Sequence, residues 1–301
     1  MNPPENGCTR RDFLRRAASV AIVGAGIGAG AGNGPGAADP PRTSRVVLVR
    51  DPDVLAPGRK LRPEILARML DGAITTLLGE EDARAAWARL VKPGDTVGIK
   101  SNVWRFLPTP PELERLLRDR VLAAGVPEAR IAVDDRGVLE SAVFRNATAL
   151  INTRPMRTHD WAGVGSCIKN YIMFSPDPPA WHPDSCADLA GLWDLPIVKG
   201  KTRLNVLVML TPLFHGSGPH HYQERYTWGY GGLIVGTDVV AVDATGLRIL
   251  EAKRREHFGA DQPFPVSPKH IRLADDRHHL GVADPARIGV LRVGSMDGAL
   301  I

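Results

Sequence analysis

The sequence predicts an α/β fold: a mostly parallel sheet with helices on both faces, in a single domain over residues 39–301. Three observations predict it. Short β-branched and apolar runs alternate with longer stretches whose apolar residues recur at helical spacing. Some of the short runs are almost continuously apolar, as in Leu204–Leu210 (LNVLVML), the pattern of strands covered on both faces. Past residue 38 there is no linker, repeat or low-complexity tract, and the remaining ~260 residues suit one domain.

Arg45–Arg50 (RVVLVR) reads as the first strand. Arg62–Leu78 and Glu81–Val91 read as helices, with Ile65, Leu66, Met69, Leu70, Ile74 and Leu77 on one face. The turn Lys92-Pro93-Gly94-Asp95 leads into a buried strand, Thr96–Ile99. Pro111–Gly125 is a helix with proline at its start and glycine at its end. Ile131–Val133 is a strand ending on Asp134-Asp135, and Ala147–Asn152 is another. Gly163–Phe174 is expected to be helical, and Ser175–Leu195, rich in Pro, Asp and Trp, an ordered irregular loop. Leu204–Leu210 and Gly232–Gly236 are strands, Val239–Phe258 a long helix, Pro268–His279 helical, and Ile288–Val293 the last strand.

The first 38 residues read as a leader. Thr9-Arg10-Arg11-Asp12-Phe13-Leu14-Arg15-Arg16 precedes an apolar, Gly- and Ala-rich run, Ala17–Ala31, and then small residues with cleavage expected after Ala31 or Ala38. The paired arginines followed by Phe13 and Leu14 resemble a twin-arginine signal. The apolar run is too short and too rich in glycine for a good membrane span, so no stable span is expected after cleavage. The expected partner is the twin-arginine export machinery and the expected location the periplasm. That route, as the resemblance implies, carries proteins that fold before export, often with a cofactor already in place.

Of the net charge of +5, the leader contributes +2, from four arginines against Glu5 and Asp12. The remaining +3 shows no basic stripe with interleaved aromatics, which argues against nucleic acid and for a small anionic ligand. The cysteines are Cys8, in the leader, Cys167 and Cys186. No Cys-x-x-Cys is present, which excludes an iron–sulfur cluster and a Cys-rich zinc site. Cys167 and Cys186 either pair in an oxidising compartment or are two buried free thiols. No GxSxG, HExxH, Walker loop or post-strand GxGxxG occurs, and Gly24–Gly30 (GAGIGAG) lies in the leader.

Ligands of parallel α/β sheets bind beyond the carboxyl ends of strands. Lys100-Ser101-Asn102 follows one strand. Thr153–His159, with Arg157 and His159, follows another, and Lys169-Asn170 lies ten residues further on. Thr211–His221, a Gly-containing loop with His215, His220 and His221, follows a third. After Gly232–Gly236, Asp238 is expected to cap the next helix, while Asp243 is a carboxylate in an apolar helix face that must be paired, with Lys100 or Lys169 as candidates.

Gly98-Ile99-Lys100-Ser101-Asn102, Arg157-Thr158-His159, Gly163–Asn170 (GVGSCIKN) and Asp238–Gly246 (DVVAVDATG), in this order, resemble the domain-of-unknown-function family 362, over roughly Val46–Leu280. The resemblance implies an α/β fold and the site positions rather than a reaction. Some members carry ferredoxin-type cysteines, absent from this chain, and Arg157 stands where the family usually has lysine.

The expectation is an exported enzyme acting on a small anion. Lys100, Asn102, Arg157 and Asn170 would hold the substrate, and His159, Asp243 and Lys169 would carry the chemistry. A divalent metal would sit on His159 and Asp243, with His215; the cofactor is otherwise unassigned. Two rivals stand beside it: a non-catalytic periplasmic anion- or cofactor-binding protein, and an accessory factor of an exported redox enzyme. Because lysine does not reproduce the arginine fork, exchanging Arg10 and Arg11 together for lysine is expected to hold the chain in the cytoplasm. Cell fractionation reads this, and undiminished export of that variant would remove the leader assignment.

Overall fold

Along strand β1 (Ser44–Arg50), Val46 and Leu48 face one side of a sheet and Val47 and Val49 the other, and all four are fully buried. That period-two alternation with both faces apolar requires a helical layer on each side. The computed structural model describes residues 42–216 and 222–301. The expected leader and His220–His221 therefore lie outside the described residues.

The strands after β1 are β2 (Val97–Lys100), β3 (Ile131–Asp134), β4 (Ala149–His159), β5 (Gly163–Gly165), β6 (Thr202–Leu213), β7 (Gly232–Gly236) and β8 (Ile288–Gly294). They form one sheet in the order β3-β2-β4-β6-β7-β1-β8, with β5 paired to β4. β7 is antiparallel to both its neighbours and β5 to β4; the remaining pairings are parallel. Helices α1 (Pro63–Leu78), α2 (Ala83–Leu90) and α3 (Pro111–Ala123) pack on the face of Val47 and Val49. Helices α4 (Cys167–Asn170), α5 (Val239–Phe258) and α6 (Lys269–Asp276) cover the other. The expected α/β layering is what the chain adopts, in one domain.

The helix ends follow local chemistry. Pro63 and Pro111 open α1 and α3, where the missing N–H costs nothing. Asp238 accepts the N–H groups of Val240 (2.9 Å) and Ala241 (3.1 Å), the expected cap of α5. Gly79 and Gly259 close α1 and α5 at φ of 67° and 72°.

Three expectations are corrected. The helix foreseen over 163–174 is β5, the single turn α4 and a 3₁₀ turn, Tyr171–Phe174, because Gly163–Gly165 pairs with Arg157–His159. The segment 153–159, read as following a strand that ends at Asn152, is the second half of β4, held between β5 and β6. Finally, β7 runs against its neighbours, so Asp238 lies at the opposite sheet edge from Lys100 and His159, beside Arg45 and Leu78. No helix among the described residues is long and apolar enough to cross a membrane.

Gly98 of β2 lets the sheet approach its cover closely: a Cβ there would sit 2.6 Å from the Phe144 ring and 2.9 Å from Leu150 Cδ2. Gly98→Ala is expected to lower unfolding free energy by ~1–3 kcal/mol through overpacking, measured by urea denaturation.

Candidate functional site

β2 and β4 are adjacent and parallel, yet the chain leaves β2 toward α3 on one face and β4, through β5, toward α4 on the other. Such a divergence opens a crevice at the carboxyl ends of the two strands. Its floor is a line of buried amides. Asn170 Nδ2 donates to the carbonyls of Lys100 (3.3 Å) and Thr153 (3.1 Å) and to Asn152 Oδ1 (2.9 Å). Asn152 Nδ2 donates to the Cys167 carbonyl (2.9 Å) and to Asn205 Oδ1 (3.1 Å). Asn205 Nδ2 reaches the carbonyls of Gly236 and Thr237. Asn170, expected to bind substrate, instead ties β2, β4 and α4 together.

Asp243 also has a structural place. Its Oδ1 accepts the Cys167 N–H (2.9 Å), and its Oδ2 accepts the Ser166 hydroxyl (2.6 Å) and the Ile168 N–H (2.7 Å). Burial pushes its carboxyl up to about 6 against the pull of these bonds. The expected pairing with Lys100 or Lys169 is thereby corrected: the free N–H groups that begin α4 satisfy the carboxylate. Lys100 pairs with Asp135 and also donates to the Ser101 carbonyl (2.7 Å) and Asn170 Oδ1 (3.4 Å). All three of its protons are used within the protein.

What remains is positive charge in excess. Lys100, Arg154, Arg157 and Lys169 are all buried, the two arginines at 3% and 4% exposure. Among the described residues, the buried acids are Asp135 and Asp243. Desolvation holds Lys100 and Lys169 down to about 8 and lowers both guanidinium groups. Arg154 Nε, Arg157 Nε, Arg157 Nη1 and Asn102 Oδ1 are buried with no hydrogen-bond partner. Arg157 stacks on Trp104 (4.1 Å), which belongs to an aromatic cluster with Phe106 and Tyr222. Arg154 was not foreseen. A register shift between Pro155 and Arg157 lets Arg154 and His159 both overlie Gly165, where a Cβ would come within 2.6 Å of the guanidinium.

His159 accepts the Trp161 N–H at Nδ1 (3.2 Å), which leaves its proton on Nε2. Burial, with Lys169 and Arg157 nearby, pushes its pKa far down, so the ring is neutral. Lys169 Nζ lies 3.6 Å from Cys186 Sγ. Asp184, Ser185 and Cys186 are held at φ of 50°, 56° and 63°, a strained turn that presents this thiol. Cys167 and Cys186 are both buried free thiols. His270 of α6, also unforeseen, is fully buried and kept neutral by burial and by the charges of Lys169 and Arg154.

A cavity of about 340 Å³ adjoins the cluster, lined by Thr158, His159, His215, Arg254, Phe264 and Val266 among others. His159 and His215 thus share a wall, while Asp243 is turned into the start of α4. The three expected metal ligands are not gathered, and among the described residues no group of three His, Cys, Asp or Glu side chains is placed to hold a metal ion.

The fold and the site define an α/β domain with a buried cationic crevice at its carboxyl edge. Residues 125–248 match the family described as "Domain of unknown function (DUF362)". The match covers β4, α4, Asn205 and Asp243, and begins after Lys100–Asn102. No curated protein and no solved structure matches the chain.

The lysine shifts carry a pH signature. Below about 8, Lys169 is protonated folded and unfolded, and the cost of burying its charge is constant. Between about 8 and its ordinary 10.5 the folded state releases a proton that the unfolded state keeps, so stability rises with pH. Lys100, held down to about 8 as well, acts in the same window; urea unfolding is expected to show a rise of ~1–3 kcal/mol from each lysine, and Lys169→Met is expected to reduce the total rise by about half.

Proposed function

We propose that the chain is an exported protein that binds a small anion in the β2–β4 crevice and acts on it there. The observation that carries this reading is the set of unpartnered donors on Arg154 and Arg157, inside a cluster of four buried cations facing two buried carboxylates. Uncompensated buried charge costs several kcal/mol, and buried donors normally find partners. An anion against Arg154, Arg157 and Lys169 supplies both. The rest of the ligand would run past Thr158 and His159 into the cavity walled by Phe264 and Val266.

The roles differ from those expected. His159, neutral with its proton on Nε2, is a hydrogen-bond donor to the ligand. Lys169, held down to about 8 by burial, is the group suited to give or take a proton close to neutrality. A bound anion raises its pKa again, so the bound lysine carries the proton that a developing negative charge receives. Asn170, Lys100 and Asp243 hold the frame. The withdrawal of Asp243 from the crevice also favours a second reading, a carrier that holds the anion without turnover.

Inorganic phosphate is the first probe. Arg157→Gln and Lys169→Ala are each expected to weaken its binding by ~30-fold or more, about 2 kcal/mol, without loss of the folded state in far-UV circular dichroism. Unchanged affinity in both variants would sink the reading. Anions released on denaturing the purified protein, identified by mass spectrometry, supply substrates whose turnover separates enzyme from carrier.

A further inference from the structure

Among the buried donors of the crevice, one amide oxygen is left without a partner. Asn102 is 8% exposed, and its Oδ1 is buried without a partner. Its orientation is dictated from behind. Asn170 Nδ2 points at the carbonyls of Lys100 and Thr153, which only accept, so Asn170 Oδ1 must face Lys100 and Asn102. A carbonyl of Asn102 turned toward that oxygen would face like charge, so its Nδ2 turns inward (3.4 Å) and its oxygen outward. Nearby donors are already committed. The protons of Lys100 are spent on Asp135, Ser101 and Asn170, and the Val103 N–H on Asp135 Oδ2 (2.9 Å). Asn170 Oδ1 joins Asn102 to Lys100, and Trp104, two residues further on, stacks with Arg157 (4.1 Å), which puts Asn102 beside the same cluster.

We propose that Asn102 makes the crevice selective for anions that bring a hydroxyl hydrogen beside their charge, over anions of the same shape that only accept. This rests on the anion-binding reading above. The chemistry is shared by two sources: a tetrahedral oxyanion that keeps a proton, such as hydrogenphosphate, and a carboxylate with an adjacent hydroxyl. An all-acceptor anion sets its own lone pairs against Asn102 Oδ1 and leaves that oxygen unpaired, which a buried site penalises strongly.

The test is isothermal titration of the purified protein near pH 8 with two matched pairs, phosphate against sulfate and lactate against propionate. At least one hydroxyl-bearing member is expected to bind on the order of 100-fold more tightly than its partner, and the pair that discriminates identifies the source. Asn102→Ala is expected to collapse that ratio toward one, chiefly by weakening the hydroxyl-bearing member. Binding of both members of each pair with equal affinity would overturn the selectivity while leaving the anion site standing. Binding of none of the four would overturn the anion site itself. The wild-type ratios decide the matter even if Asn102→Ala does not fold.

Discussion

The three amides Asn205, Asn152 and Asn170 tie β7, β6, β4, β2 and α4 together, and the site depends on them. They run from the far end of β7 through β6 and β4 to α4, each donating to an acceptor that cannot reverse its role. A fully satisfied buried polar line of this kind specifies one arrangement, since any shift leaves several groups unpaired in a low-dielectric interior. At its end α4 is a single turn, too short to persist alone. Asp243 holds it from below through two backbone N–H groups and the Ser166 hydroxyl.

With the frame fixed, the cations above it have little freedom to escape. Arg157 is pressed against Trp104, Arg154 fills the space left by Gly165, and Lys169 sits against the Cys186 thiol. Neither guanidinium has its full set of partners. Local strain at Asp184–Cys186 adds to the unfavourable side. Desolvated charge and backbone strain gathered in one place lower stability and are features that cluster at functional sites.

The layers were legible because period-two and helical periodicities survive in the strands and in α1, α3 and α5, where burial is decided by local pattern. Lys100 and Asn102, read as following one strand, and Asn170, further along the chain, are joined by hydrogen bonds in the fold. Their roles were not legible in the sequence. Asn170 and Asp243 are the polar residues one expects to face a ligand, yet each is consumed by backbone partners distant in sequence, a commitment that only tertiary contacts make. Arg154 lies beyond Asn152, where the readable apolar strand ends, in a part of β4 whose register with β6 shifts between Pro155 and Arg157. Gly163–Gly165 carries helical neighbours but pairs with β4, so long-range hydrogen bonding overrode the local pattern.

The central claim is that the crevice is charged beyond what the folded protein itself compensates. Unfolding free energies of wild type and of Arg154→Met/Arg157→Met, at low salt and then with saturating phosphate, test it most directly. Without phosphate the double variant is expected to be more stable than wild type by ~1–4 kcal/mol, and phosphate is expected to stabilise wild type alone. A variant less stable than wild type, with phosphate acting equally on both, would contradict the account and make the two arginines parts of the scaffold.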